Sequence, residues 1–553
     1  MTDLTRRTLL GGAAAAGAAG LLGSPSALAS GRASSPVFSH DVGELVGVSP
    51  VITAGRSFVL AGVQWDVPHA ASIEMRARRH GGRWSRWALA SVSGHEPDRP
   101  AGGNVRSGEP MWFGPVDQVQ LRAASTVSGV TLHFVAADAV SRGAVGEHRF
   151  ITTAPYALVD VNLPAGPGQP PIIARSAWAG RRHPPTSGPY YGSIDLAFVH
   201  HTENPNGYSP GQVPAMLLAI YAFHRYTRGY FDIAYNFIID AYGRIWEARA
   251  GGVDLPVVGA HAGGYNSVST GVAILGTFMS AQPSAAAMAS LQRLLAWKLA
   301  LHGVPAQGKV RVEVNPSDAF YTPFAPGQRV LLPRIAGHRD GDLTSCPGTD
   351  LYHRLPTVRT AVHGQAGALY QLSLAAAQTR VAPGTAVALS GAFVQPGVAP
   401  MAGAPLQIQS IGGTGGVATV ATVTTGADGA WTVTLPFSQS AVLRALHATS
   451  PAAVSNLVVV GVAPVLTLTL ASSAPLQVTG TVLPAKPVTV SVYKVAKGRR
   501  KLIWSRRLAA GGGTFSARPS LGKKPRGQYV IIARVGADAV SLAAASAPVT
   551  LTV

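Results

Sequence analysis

Short apolar runs, broken by clusters of Gly, Pro and Asp, dominate the chain from about residue 37 to 153. Residues 57–63, 119–122 and 130–135 have the apolar, β-branched character of strands, and 74–78 alternates polar with apolar positions as a half-exposed strand does. This pattern predicts an N-terminal β-sandwich domain over 37–153. Trp65, Trp84, Trp87 and Trp112 read as its core and rim in preference to a sugar-stacking surface, and no chemistry is assigned to it. The Pro- and Gly-rich stretch 154–171 reads as a linker.

The pattern changes at residue 172. An apolar strand over 195–201 ends in His200-His201, and apolar residues at helical spacing follow over 213–227. Residues 234–247 predict a hairpin turning near 240–243, and 272–276 a short buried strand. A helix is predicted from a Ser284 N-cap through Leu291, Leu294, Leu295 and Leu299 to Gly303. Beyond about 368 the chain is again β-like. Two stretches, 387–393 and 476–482, each carry an apolar residue, a Ser or Thr and a Gly inside a strand-like run, and each precedes another strand, 431–435 and 488–492. They predict two immunoglobulin-like β modules, 368–460 and 461–553.

Composition agrees with a multidomain, turn-rich chain. The 553 residues are too many for one core, charged residues are 13% of the total, and there are 63 Gly and 41 Pro. A net charge of +20 calls for an anionic partner or environment. No nucleic-acid-binding motif accompanies it; an anionic cell wall accounts for the same charge, as does a general basic bias with solvated Arg side chains. The basic cluster Lys497, Arg499, Arg500, Lys501, Arg506 and Arg507 reads either as a hold on anionic wall polymers or, more commonly, as a solvated strand-loop face. Residues 1–29 read as an export signal: Arg6-Arg7 of the twin-arginine type, an Ala/Gly-rich apolar run, and Ala27-Leu28-Ala29 for cleavage. The expected location is therefore secreted or wall-associated, with no transmembrane anchor after signal removal.

One stretch concentrates the chemistry. Gly337-His338-Arg339-Asp340-Gly341-Asp342-Leu343-Thr344-Ser345-Cys346-Pro347-Gly348 holds the single cysteine of the chain, eight positions after a histidine. A lone cysteine in an exported protein has no internal disulfide partner. It can be an inert buried thiol, a nucleophile with His338 as its base, or a metal ligand. The nearby histidines, His338 and the pair His200-His201, favour zinc. Glu203, next to the His-ended strand, reads as an exposed loop residue.

The collinear pieces Arg175-Ser176-Ala177-Trp178, Val199-His200-His201-Thr202, Asp232 to Phe237, Gly259-Ala260-His261-Ala262, Asn266, Gly271-Val272-Ala273, Gly337-His338-Arg339-Asp340 and Cys346-Pro347-Gly348 give residues 172–365 a resemblance to a known family. It is that of the zinc-dependent N-acetylmuramoyl-L-alanine amidases, the peptidoglycan recognition protein and phage amidase-type lysozyme group. The resemblance implies a central α/β amidase domain, a mixed sheet with flanking helices, between the β domains. It implies one zinc ion per chain on His200, His338 and Cys346 with a water in the fourth position, and His201 as a hydrogen-bonded neighbour. Tyr235, and in some members the position of Thr344, would stabilise the oxyanion. His261, Asn266, Arg175 and Trp178 would bind substrate or line its groove. The implied activity is cleavage of the amide between N-acetylmuramic acid and L-alanine of peptidoglycan, the alternative being a peptidoglycan-binding protein without catalysis.

Overall fold

The protein is described from a computed structural model over residues 35–66, 72–95, 98, 105–143, 168–180, 183–412, 416–522 and 525–553. The expected export signal, 1–29, and most of the expected linker, 154–171, lie outside the described residues.

The N-terminal strands are β1 (Val37–Leu45), β2 (Ile52–Asp66), β3 (Ile73–Arg78), β4 (Ala88–Ala90), β5 (Val105–Ser107), β6 (Met111–Ala123) and β7 (Val127–Ala136). Hydrogen bonds join them in one sheet of order β1-β7-β2-β6-β3-β4, with β5 on β2, and not in the two separate sheets expected of a sandwich. The reason lies in β2. Register shifts between Thr53 and Phe58 and between Phe58 and Leu60 interrupt its ladders with β6 and β7, and such irregularities bend a strand and increase its twist. A single bent sheet can thereby enclose the core of Phe58, Trp65, Leu132 and Phe134. Trp84 and Trp87 lie at the rim under the guanidinium groups of Arg76, Arg78 and Arg122, 4.3–4.7 Å from the ring centres.

The central domain is built on a six-stranded mixed sheet of β8 (Ile172–Ile173), β9 (Leu196–His201), β10 (Phe237–Ile239), β11 (Ile245–Glu247), β12 (Ser269–Ile274) and, past the two-stranded ribbon β13 (Lys309–Glu313) and β14 (Arg329–Pro333), β15 (Ile335–Gly337). The order is β15-β9-β12-β10-β11-β8. β15, β9, β12 and β10 run parallel, and β10–β11 is the antiparallel hairpin predicted, turning at Asp240, whose carboxylate accepts from Tyr242 N and Arg244 N. The carboxyl ends of β9 and β15 therefore lie side by side, and they carry His200-His201 and Gly337-His338.

Helices cover both faces. On one, Ala285–Leu301, N-capped by Ser284 Oγ accepting from Ala287 N at 3.0 Å, packs Leu291, Leu294 and Leu295 against helix Thr349–Ala366. On the other lies Val213–Ala222, whose run from Met216 to Ala222 is wholly buried. A helix apolar all round needs cover on all sides. The N-terminal domain supplies it: Val59, Leu60, Trp112 and Val135 share one core with Met216, Ile220, Tyr221 and Phe223. The helix continues not as α-helix, as the spacing predicts, but as a π-helical turn, Phe223–Thr227.

Each C-terminal region has two sheets around its own core. The first packs strands Thr385–Gln395 and Ala430–Phe437 over Pro405–Ile411 and Ala441–His447, enclosing Leu389, Phe393, Ile408 and Trp431. The second packs Leu476–Leu483 and Thr514–Ala517 over Val488–Ala496 and Gln528–Val535, enclosing Val478, Val490 and Ile531. Among the described residues no helix is long and apolar enough to cross a membrane.

Candidate metal centre

His200 is the last but one residue of β9 and His338 follows β15, so two parallel neighbours bring two imidazoles together, 4.5 Å between ring centres. Strand alternation sends His201 to the opposite face, where its Nε2 lies 3.1 Å from Glu203 Oε1 and its Nδ1 accepts from Phe278 N at 3.3 Å. Cys346 reaches the site from the loop before the last helix. Its Sγ accepts from His201 N at 3.4 Å and lies 3.7 Å from His200 Nδ1.

A third imidazole comes from an unexpected place. His95, in the N-terminal domain, stacks on His338 with ring centres 4.9 Å apart and stands 5.4 Å from His200. His95, His200 and His338 each offer a ring nitrogen such that all three lie within 4.8 Å of one another; Cys346 stands beside this group through its contact with His200.

The donors fit a metal ion. Burial lowers the pKa of His95 and His200 and brings His338 down to about 3, so all three are neutral and keep a lone pair. Each ring is held at one nitrogen. His338 Nε2 meets Asp342 Oδ2 at 3.1 Å and His95 Nδ1 meets Glu109 Oε1 at 3.2 Å, which leaves His338 Nδ1 and His95 Nε2 buried without a hydrogen-bond partner. His200 Nε2 faces His261 Nδ1 at 3.2 Å, which leaves its Nδ1 on the Cys346 side. Metal-binding histidines are held in this way, by a carboxylate or other acceptor on the far nitrogen. Two ligands of a tetrahedral zinc, with bonds of about 2.3 Å to sulfur and about 2.0 Å to nitrogen, stand about 3.6 Å apart, close to the Cys346–His200 separation. Burial pushes the Cys346 thiol well up, so without a cation beside it the group is a poor nucleophile.

Tyr235 completes the pocket. Its ring is 5.4 Å from His200 and 5.0 Å from His95, and burial keeps its hydroxyl protonated, hence a donor. Thr344 Oγ1 accepts from Cys346 N at 3.2 Å and donates to Val92 O of the N-terminal domain at 3.3 Å, so here it braces the loop.

This part of the chain is similar to known proteins. The model described as N-acetylmuramoyl-L-alanine amidase matches residues 190–349. Peptidoglycan-recognition protein SC2 of Drosophila melanogaster is 30% identical over 187 residues, 34% of this chain and 85% of that protein. The chain belongs to the peptidoglycan recognition protein and amidase family. Among similar solved structures are peptidoglycan recognition protein LE in complex with tracheal cytotoxin (26% identity, 34% of this chain and 92% of that one, TM-score 0.27) and an endolysin amidase from Clostridium intestinale (21%, 34% and 93%, TM-score 0.24). A second model, described as an N-terminal galactose-binding domain-like family, matches residues 21–148.

The residues expected to line an amidase groove are buried here, each with a framework contact. His261 orients His200 and donates its backbone N–H to Asn266 Oδ1 at 2.7 Å. Arg175 pairs with Asp232 at 2.7 Å, and Trp178 Nε1 donates to Glu247 O at 2.8 Å. Glu203, expected to be exposed, is buried at φ 56°, a strained setting for a side-chain-bearing residue, and its Oε2 accepts from Ser91 N of the N-terminal domain at 3.1 Å. His95, Glu109 and Asp342 were not singled out in the sequence. Asp342 had a signal, its place four residues after His338; His95 and Glu109 had none.

Proposed function

We propose that the protein is an exported zinc amidase that hydrolyses the bond between N-acetylmuramic acid and the L-alanine of the peptidoglycan stem. The observation that carries this reading is the meeting of His200 and His338, each ring held at its far nitrogen, with Cys346 Sγ 3.7 Å from His200 Nδ1 and the Tyr235 ring beside them. Zinc held there would supply Lewis acidity and an activated water at neutral pH. The chain's own part is to fix the ligands and the developing charge. With Asp342 accepting from His338 Nε2–H and His261 from His200 Nε2–H, both rings would keep the tautomer that leaves Nδ1 free. Tyr235 offers an O–H to the carbonyl oxygen as it becomes anionic. Peptidoglycan is the proposed partner, and the exposed basic edge strand Arg499–Leu508 is where anionic wall polymers would bind.

The family also contains recognition proteins, and a peptidoglycan-binding role is the second reading. The test is metal analysis of the purified protein beside muropeptide release, for wild type and Cys346→Ser. One equivalent of zinc with free stem peptides, both lost in the variant, supports the amidase. Zinc without release, even after the N-terminal domain is undocked, supports the binding role. Release without zinc, unaffected by chelator, would sink the metal mechanism and revive the thiol.

A further inference from the structure

The segment Ser91–His95 lies across the metal centre, and its contacts are those of a built part. Ser91 N donates to Glu203 Oε2 at 3.1 Å, Ser93 Oγ accepts from Arg228 at 2.8 Å, and Val92 O accepts from Thr344 Oγ1 at 3.3 Å. Three residues on, Asp98 takes both terminal nitrogens of Arg249, at 2.8 and 2.7 Å. At Gly94 the backbone passes so near the site that a Cβ there would lie 2.8 Å from His338 Cε1 and 3.3 Å from Thr344 Cβ. At the tip, His95 is buried, its Nδ1 lies 3.2 Å from Glu109 Oε1, its Nε2 has no hydrogen-bond partner, and the residue offers a ring nitrogen within 4.8 Å of those of His200 and His338.

A carboxylate behind one ring nitrogen and a free lone pair on the other describe a metal ligand, and His95 has both. Catalytic zinc needs an open position, whereas four protein ligands make a closed site. Resting on the amidase reading of the same centre, we propose that His95 is a fourth metal ligand contributed by the N-terminal domain. It takes the position a catalytic water requires, and so keeps the enzyme latent until the Ser91–His95 segment withdraws. With an ion bound, withdrawal of His95 would leave one position open to water, with no bond to substrate made or broken. The same segment covers Tyr235 and occupies Thr344, so one movement frees the metal position and both polar groups for substrate.

The test uses the full chain loaded with cobalt in place of zinc, whose visible absorption reports coordination. Wild type should give a four-coordinate spectrum unchanged by added azide. His95→Ala should give an altered spectrum that responds to azide, with metal affinity lowered by about 100-fold in competition with a chelator. Glu109→Gln, which keeps the ligand but loses its support, should lower affinity by about 10- to 100-fold. Muropeptide release should rise in His95→Ala. Gly94→Ala, which leaves every donor in place and wedges the segment off His338, should also make the spectrum respond to azide. Spectra and affinities unchanged in all three variants, in a chain whose metal is lost with His200→Ala, would overturn His95 as a ligand and leave the amidase standing. A chain that binds no metal at all would overturn both.

Discussion

Asp98→Asn isolates the latch that holds the N-terminal domain over the site. The Arg249 side chain is 6% exposed and that of Asp98 7%, and the pair is bidentate. Arg249 Nε is spent on Ile233 O, and Asp232, the nearest other carboxylate, is paired with Arg175. With Asn at position 98 the guanidinium keeps only carbonyl partners, and breaking a buried pair by removing one charge costs about 3–5 kcal/mol. That cost falls on the docked state, because an undocked Arg249 regains water. Asp98→Asn should therefore shift the docking equilibrium by at least ~3 kcal/mol, about 100-fold. Amide hydrogen exchange reads this directly. Ser91 N donates across the interface to Glu203 Oε2 and should exchange about 100-fold faster, while amides inside β12 keep their protection. A change under about threefold at Ser91, or equal acceleration in β12, would refute the reasoning.

Tyr235→Phe should retain full metal content and lower turnover by about 10²–10³-fold, measured as muropeptide release in wild-type and His95→Ala backgrounds, since only the oxyanion donor is lost. His133 sets a separate acid sensitivity: burial, reinforced by Arg228, lowers its pKa to about 4, while its Nε2 meets Gln64 Oε1 at 2.7 Å. The unfolded chain, with a His pKa near 6.5, binds the extra proton between about pH 6.5 and 4. This contribution is whole above pH 6.5 and is lost as pH falls toward 4, about 3 kcal/mol in all. Urea midpoints at pH 7.5 and 4.5 should fall less in His133→Gln than in wild type, and equal falls would count against the assignment.

What the sequence carried was local or collinear. The alternation of 74–78, the Ser284 cap and the 240–243 turn each act within a few residues, and each appears as read. The pairing of His200 with His338 was legible through motif order, and Cys346 through its rarity. His95 escaped because it reaches the site only through the packing of one domain on another, which leaves no spacing to detect. Glu203 was misplaced for the same reason: an acidic loop residue reads as exposed until another domain covers it. The seven-stranded sheet hid in β2, where register shifts that no composition signals let one strand pair with β6 and β7.

If the centre is an amidase, the shared core around Phe223 bears on how it could be activated. Val59, Leu60, Trp112 and Val135 are buried against Met216, Ile220 and Phe223, so cutting away the N-terminal domain would bare an oily face on each fragment. Proteolytic maturation of the kind that simply discards an inhibitor would leave a catalytic piece prone to clump. A hinged motion confined to the tip, with the greasy seam left shut, exposes only polar groups and can be reversed. The packing thus favours a lid that reopens and closes over a propeptide that is shed.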